Sequence, residues 1–275
     1  MSIVASMSFQ PTRRDWTRAK RDILAGLQRH QLWMLLGVND IRLRYNRSKF
    51  GQFWITLSMG IFIGGLGLVY SALFNQPIHE YIPYLAVNIT IWTLLSTTVG
   101  ESTSVFVQAA GYLRQDSIPK TVFVMRLLTR NAIVFAHNLV IIPIAFVVFG
   151  HMPGSALLLV LPGLLIVALT LFFISLALGL LATRFRDLPQ IIQNVLQLLF
   201  FVTPVMWRLD QMAVERQHII MMNPFAALLR IVADPIRGVT PPASSYAIAL
   251  GFLAVAGLLA LFLFARFRAR LVYWL

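Results

Sequence analysis

The sequence predicts an all-α integral membrane protein. Its expected architecture is six transmembrane helices, an N-terminal amphipathic helix at the membrane interface and a re-entrant hairpin between spans five and six. Two observations carry this prediction. The 53 residues between Arg130 and Arg184 contain no Asp, Glu, Lys or Arg, and one turn-forming segment at 150–154 divides them into two stretches long enough to cross a bilayer. Apolar residues make up 58% of the 275-residue chain, which leaves no room for a separate soluble domain.

Charges and turn residues divide the chain into its expected elements. Residues 1–49 form a cytoplasmic segment that contains the interface helix, and residues 50–275 form the six-span transmembrane domain. The predicted spans are 51–74, 81–107, 127–149, 155–182, 188–207 and 246–264.

The segment before the first span has the pattern of an interface helix. Trp16, Ile23 and Leu27 recur at helical spacing, while arginine and lysine dominate the opposite face. Such a helix can be a plain membrane anchor or can also dock a cytoplasmic partner, and the pattern leaves both open. The first 49 residues hold ten basic residues and no long apolar run, unlike a cleavable signal peptide, so this segment is expected to stay on the chain.

The distribution of basic residues predicts the orientation. Ten lie before Phe50, four lie in the two loops that follow spans two and four, and three close the chain, against four on the opposite side. Both termini are therefore expected in the cytoplasm. Basic clusters flanking apolar spans contact lipid headgroups, so the net charge of +13 indicates membrane lipids and not nucleic acid as the partner.

The segment between spans five and six, at about 210–237, is unusual. Its uncharged stretch, 217–229, has 13 residues, and at about 1.5 Å per residue that is near 20 Å, too short to cross. We favour a re-entrant hairpin that turns at Asn223-Pro224. The alternative is an ordinary external loop with an apolar patch.

Polar and small residues inside the spans have two interpretations each. Gly60 and Gly64 form a GxxxG pair that favours helix packing. Glu101 near the end of span two, and His137 with Asn138 in span three, could couple ion movement or make interhelical hydrogen bonds. We favour hydrogen bonding, because a secondary transporter normally buries more charge.

Catalytic motifs are missing from the sequence. It has no cysteine, no Walker A motif, no HExxH, no GxSxG and no metal-ligand spacing among its five histidines. The chain is therefore expected to be no enzyme and to bind no cofactor. If it transports against a gradient, a partner must supply the energy.

Several segments, in this order, resemble the permease subunit of polysaccharide ABC exporters, the ABC type-2 family that exports O-antigen, capsular polysaccharide and teichoic acid. The resemblance extends from about Leu32 to the end of the chain. It rests on Arg44-Tyr45, on 48–54 (Ser-Lys-Phe-Gly-Gln-Phe-Trp), on 184–188 (Arg-Phe-Arg-Asp-Leu), on Leu196-Gln197, Phe200-Phe201, Thr203-Pro204-Val205 and Asn223-Pro224-Phe225, and on the basic-aromatic ending at 266–275.

The resemblance implies a homodimeric channel above two copies of a separate ATP-binding subunit, which binds ATP and Mg²⁺. The channel would move a lipid-linked polysaccharide across the bacterial inner membrane. The loop that couples to the ATPase would contain Tyr112, Arg114, Gln115, Asp116, Pro119 and Lys120. The substrate entrance and channel would use Arg44, Tyr45, Phe53, Trp54, Tyr70, Tyr84 and Trp92, whose rings suit sugar C–H groups but also suit interface anchoring. The external gate would contain Asn223, Pro224 and Phe225.

Three rival functions stay open. The first is a related ABC export permease for a small lipid or drug, which shares the six spans. The second is a membrane-embedded enzyme or an independent carrier, which needs acids or histidines clustered at one depth. The third is a scaffold that depends on no ATPase. The sugar and its lipid carrier are not specified by the sequence.

Overall fold

The computed structural model describes residues 11–46, 49–115, 118–152, 154–209, 217 and 220–275, and they form helices joined by short turns. In chain order the helices are α1 (Arg13–Gln28), α2 (His30–Tyr45), α3 (Phe53–Leu73), α4 (Ile78–Ser102), α5 (Val105–Gln108), α6 (Ala110–Gln115), α7 (Thr121–Leu139), α8 (Ile141–Phe149), α9 (Val160–Arg184), α10 (Leu188–Val202), α11 (Pro224–Ile236), α12 (Ala243–Phe267) and α13 (Leu271–Trp274). The prediction of an all-α membrane protein is confirmed.

Among the described residues, five helical segments are long and apolar enough to cross a membrane. They are Phe53–Leu73, Ile78–Ser102, Thr121–Phe149, Ser155–Arg184 and Ala243–Trp274, at the places predicted for spans one to four and six. At the place of the fifth span, α10 has only 15 residues. It ends at Thr203, whose backbone is extended, short of the predicted Trp207. Pro204 explains this end, because a proline disfavours helical backbone in the residue before it.

The third span consists of two helices, α7 and α8. α7 begins at Thr121, before the predicted start at 127, and a turn at Val140 separates it from α8. Pro143 accounts for this turn, because it cannot donate a hydrogen bond to the carbonyl of residue 139. α8 ends at Gly150, whose φ of 71° is the left-handed conformation that commonly closes a helix.

The centre of the fold is built from α4 and α11. From Tyr81 to Trp92 only Ile82 of α4 is not fully buried, and ten of the 13 residues of α11 are buried. α11 packs against α4, α9 and α12. Gly163 permits this packing, because a Cβ atom there would lie 2.4 Å from the carbonyl oxygen of Ile231. α11 is therefore a short helix enclosed by protein.

The N-terminal segment contains two helices, α1 and α2. α1 turns Ala19, Asp22 and Gly26 toward the protein and leaves Trp16 and Leu27 exposed. α2 packs along α7. The apolar stripe predicted from the sequence is thus mainly the outward face of α1. The opposite face, with Ala19, Asp22 and Gly26, packs against the protein and holds α1 in place.

Asp22 connects three parts of the chain. Its carboxylate accepts hydrogen bonds from the backbone N–H of Thr121 at 3.2 Å, the Thr121 hydroxyl at 3.1 Å and the guanidinium of Arg268 at 2.8 Å. Next to it, burial lowers the pKa of the Lys120 amine, and the negative charge of Asp22 opposes that shift. α1, the start of α7 and the end of α12 therefore meet at one buried carboxylate.

Substitution of Gly163 by alanine is expected to destabilise the fold. The added methyl group must displace the backbone of α11, and overpacking of this kind costs about 1–3 kcal/mol. Thermal unfolding of the purified chain in detergent measures the effect. Gly251→Ala is the matched control, since nothing lies within 4 Å of a Cβ atom there. Equal melting temperatures for the two variants would contradict the packing described for α11.

Substitution of Asp22 by asparagine is expected to release α1 from the bundle. The amide keeps the shape but leaves the Arg268 guanidinium without its partner, and breaking a buried ion pair costs about 3–5 kcal/mol. Hydrogen exchange of the α1 amides should accelerate, while exchange in α4 and α11 should not change. Arg18→Gln, at an exposed position on the same helix, serves as the control. Unchanged protection of α1 would show that Asp22 does not hold it.

Candidate functional site

A polar groove of about 720 Å³ follows α4 and α10. Its walls combine side-chain amides, hydroxyls, one carboxylate and aromatic rings. The lining residues are Trp92, Ser96, Thr97, Gly100, Glu101, Gln190, Gln193, Asn194, Leu196, Gln197, Phe200 and Phe201. Such walls can donate and accept hydrogen bonds and can also pack against apolar ligand faces.

One side of the groove is a stripe of four amides on α10. Gln190, Gln193, Asn194 and Gln197 follow the spacing i, i+3, i+4 and i+7, which places them on one helical face, and all four are exposed. Gln190 donates to Asn194 at 3.2 Å. Hydrocarbon cannot satisfy amides, so this stripe requires a water-filled path or another protein surface.

The other side of the groove depends on a glycine of α4. A Cβ atom at Gly100 would lie 2.7 Å from the side-chain nitrogen of Gln193. The missing side chain therefore makes room for that amide between α4 and α10.

An aromatic cluster adjoins the groove. Trp92 is 6% exposed, and its ring centroid lies 5.8 Å from that of Phe200 and 6.2 Å from that of Phe225. Two residues that the sequence analysis assigned to different parts, Trp92 to the channel and Phe225 to the gate, are thus in one cluster.

Tyr84, also predicted in the channel, fixes the turn that follows α10. Its hydroxyl group donates to the backbone carbonyls of Pro204 at 3.0 Å and Trp207 at 2.7 Å, and the amide of Asn88 donates to Pro204 at 3.2 Å. One turn earlier, the hydroxyl of Tyr81 donates to the carbonyl of Met206 at 2.6 Å. α4 thereby supplies the hydrogen bonds that this non-helical turn needs.

Asn223 and Pro224 begin α11. The Asn223 side chain accepts a hydrogen bond from the backbone N–H of Phe225 at 3.0 Å and donates to the Thr203 hydroxyl at 3.0 Å. Asn223 is thus the N-cap of α11 with a proline at the first helical position, a preferred combination. The predicted turn residues link the start of α11 to the end of α10.

The predicted entrance residues lie apart from the aromatic cluster. Phe53 and Trp54 are exposed at the start of α3, and Trp54 stacks on Phe50 with centroids 5.9 Å apart. Tyr45 is half-buried near the end of α2. Tyr70 lies near the other end of α3 and packs against Phe74, so it does not join the groove. Part of the predicted entrance motif, residues 47 and 48, lies outside the described residues.

Arg44 is the entrance residue that approaches the groove. Its guanidinium lies 3.8 Å from the Glu101 carboxylate, which lines the groove and accepts a hydrogen bond from Arg130 at 2.7 Å. Arg126 donates to Asp40 at 2.7 Å, and Arg130 lies 3.6 Å from the same carboxylate. This charge network joins α2, α4 and α7.

The charge network was missed by the sequence analysis. Asp40 and Arg126 received no role, and Arg130 served only to mark the start of the charge-free stretch. The available signal was their i, i+4 spacing inside an apolar helix, because two cations at that depth require acidic partners. The amide stripe was missed too, although its spacing is visible in the sequence.

The predicted coupling residues lie on α6 and just before α7. Tyr112, Arg114 and Gln115 are exposed on α6, while Leu113 is buried and anchors the helix. The Tyr112 ring lies 5.9 Å from that of Phe123, and Arg114 donates to the backbone carbonyl of Leu275. Pro119 and Lys120 are half-buried. Asp116 lies outside the described residues. α6 thus presents a small exposed surface at the end of the molecule that carries α1.

Comparison with known proteins identifies the family of the chain. The ABC-2 type transporter family matches residues 30–235. The chain is similar to the O-antigen export system permease protein RfbA of Myxococcus xanthus, with 27% identity over 198 residues that cover 69% of this chain and 74% of the relative. It is also similar to the RfbA permease of Klebsiella pneumoniae, with 22% identity over 199 residues covering 72% of this chain and 77% of the relative. The chain therefore belongs to the ABC-2 type transporter family, as a membrane permease.

Proposed function

We propose that this permease forms the channel of an ATP-driven exporter that moves a lipid-linked polysaccharide from the cytoplasm across the bacterial inner membrane. The observation that carries the proposal is the groove along α4 and α10. Its four amides match the hydroxyl groups of a glycan, and Trp92 and Phe200 supply ring faces for sugar C–H groups. The two relatives named O-antigen export permeases support the same class of substrate.

A second copy of the chain would complete the channel. The amide stripe is exposed in one chain, and α3 is exposed along most of its length. Gly60 and Gly64 have open space where side chains would be, and small residues of this kind let two helices approach closely. A homodimer that brings two amide stripes together would enclose a polar path. This arrangement would shield the amide stripe and the exposed face of α3 from lipid.

The proposed topology has six spans and a re-entrant helix. α10, with the turn at 203–207, makes the fifth crossing, and α11 is the re-entrant helix at the external gate. Both termini then lie in the cytoplasm, as the distribution of basic residues indicates. Burial of α11 within protein supports this assignment.

ATP hydrolysis is assigned to a separate ATP-binding partner in two copies, which holds ATP and Mg²⁺. Its motion would act on the exposed surface of α6. From there, Thr121 at the start of α7 contacts Asp22, and Arg130 farther along α7 pairs with Glu101 in the groove. The partner would shift the equilibrium between two channel states only as far as it binds one state better than the other.

A small-lipid exporter is the second candidate. It is favoured by an apolar cavity of about 230 Å³ between α9, α10 and α12, on the side of α10 away from the amides. A short acyl chain suits such walls, but the amide stripe would then have no role. We therefore place this function second.

Depletion of the chain is expected to accumulate lipid-linked glycan on the cytoplasmic side and to remove it from the cell surface. A double variant, Asn194→Leu with Gln197→Leu, should restore export at least about tenfold less than the unchanged chain does. Each lost hydrogen bond to the glycan contributes roughly 1 kcal/mol. Leu198→Ile, on the exposed apolar face of α10, is the matched control and should restore export. The measurement is surface glycan per permease molecule in the membrane. Normal surface glycan after depletion would refute the polysaccharide proposal and favour the small-lipid exporter.

Substitution of Tyr112 by alanine is expected to weaken the complex with the ATP-binding partner. Interface aromatics typically contribute 2 kcal/mol or more, or a loss of at least about thirtyfold in affinity. Co-purification at graded salt concentrations measures the loss. Trp16→Ala removes an aromatic of similar exposure from α1 and should leave the complex intact. A complex unchanged by Tyr112→Ala would show that α6 is not the docking surface.

A further inference from the structure

A second cavity, of about 750 Å³, lies at the end of the molecule opposite α6. It is bounded by the start of α4, the turn after α10 and the second half of α11. Five charged side chains of the described residues line it: Glu80, Arg208, Arg230, Asp234 and Arg237. None of them belongs to the groove along α4 and α10.

Arginine dominates the charged side chains among the described lining residues. They include three guanidinium groups and two carboxylates. Glu80 lies 3.3 Å from Arg208, and Asp234 pairs with both Arg230 and Arg237. In the proposed orientation this is the external side, where basic residues are disfavoured. Yet every external arginine that the structure describes lies in this cavity.

Two lining residues each keep a buried polar atom with no hydrogen-bond partner among the described residues. They are Nη1 of Arg230, a donor, and Oδ1 of Asn88, an acceptor. Asn88 is 1% exposed, and its amide nitrogen is already used by the turn after α10. Asp234 does not satisfy Nη1, because it binds Arg230 through Nε. Buried polar groups are nearly always paired, so both atoms are available to hydrogen-bond a bound ligand.

The remaining contacts hold the arginines in position. The guanidinium of Arg237 lies over the Tyr84 ring, 4.8 Å from its centroid, and donates to Asp234. That ring face is therefore covered and cannot stack on a sugar. Recognition in this cavity must come from charge and hydrogen bonds.

We propose that this cavity binds an acidic saccharide, through a carboxylate or phosphate substituent. The oxyanion would accept hydrogen bonds from Arg230 and Arg237, and a neighbouring hydroxyl group would donate to Asn88. The inference deepens the proposed export function and rests on it for the source of the ligand: an acidic sugar of the exported glycan would be held where the chain leaves the protein.

The test uses the full chain in lipid nanodiscs, with glucuronate, glucose 6-phosphate and glucose as probes in NMR titrations. Either acidic sugar should bind, and glucose should bind at least about tenfold more weakly, because hydrogen bonds to charged groups are the stronger ones. Binding by glucuronate alone or by glucose 6-phosphate alone identifies the substituent as carboxylate or phosphate. Absence of binding by both, or equal binding of glucose, would overturn the proposal.

Two substitutions should move the affinity in opposite directions. Arg230→Gln should weaken binding of the acidic sugar at least about tenfold. Glu80→Gln removes a negative charge at a half-exposed position and should strengthen binding about threefold. Arg18→Gln, on α1, should change nothing. If neither cavity variant changes the affinity for the acidic sugar, the proposed binding site is refuted. If Arg230→Gln does not fold, Glu80→Gln alone tests the proposal.

The binding test needs neither ATP nor transport, so it is independent of the export function. Failure to bind leaves the depletion experiment and its outcome untouched. The opposite result is also distinguishable: depletion leaves surface glycan unchanged while the purified chain binds acidic sugars through Arg230. That result would refute the export proposal and support the binding cavity.

Discussion

Hydrocarbon offers no hydrogen bonds, and the rest of the structure depends on how the chain meets that constraint. Helices satisfy the hydrogen-bonding groups of their own backbone, but the non-helical turn at 203–207 cannot satisfy its own. Tyr81, Tyr84 and Asn88, spaced along one face of α4, supply the donors that this turn lacks. α11 meets the same constraint differently, because α4, α9 and α12 enclose it. The turn at 203–207 and α11 are therefore both supported by α4, which explains why residues 81–92 of α4 are almost completely buried.

Ionic contacts at the end of the molecule that carries α1 connect elements that hydrophobic packing alone would leave free to slide. Asp22 joins α1 to the start of α7, and Asp40 joins α2 to the same helix farther along. Arg130 then reaches Glu101 on α4. The two interface helices are thus attached to α7 at separate levels. In the proposed coupling, a force applied at α6 would move α7 together with its attached helices and would reach the wall of the groove through contacts that include the ion pair between Arg130 and Glu101.

Hydropathy was sufficient to predict five of the six expected spans, because a charge-free stretch such as 131–149 has few alternatives in a folded protein. It also placed the break at Asn223-Pro224, since both residues have strong local preferences. The end of α10 was predicted too late, although Pro204 gave the local reason for it. The contacts of Asp22 and Asp40 could not be predicted in this way, because their partners lie 86 to 246 residues away in the chain. Spacing identifies the face of a helix that is polar, but tertiary packing decides what that face meets.

The length of α10 also links this protein to its lipid environment. Fifteen residues extend about 22 Å along a helix, whereas the hydrocarbon core is about 30 Å thick. In the proposed topology, where α10 takes part in the fifth crossing, the lipid next to it would become thinner or the helix would be displaced along the membrane normal, at a free-energy cost that grows with the difference. α10 forms a wall of both the polar groove and the apolar cavity, so its depth would affect both volumes. The proposed topology would therefore couple the shape of the groove to membrane thickness, and lipids with shorter chains would favour a different position of this helix from lipids with longer ones.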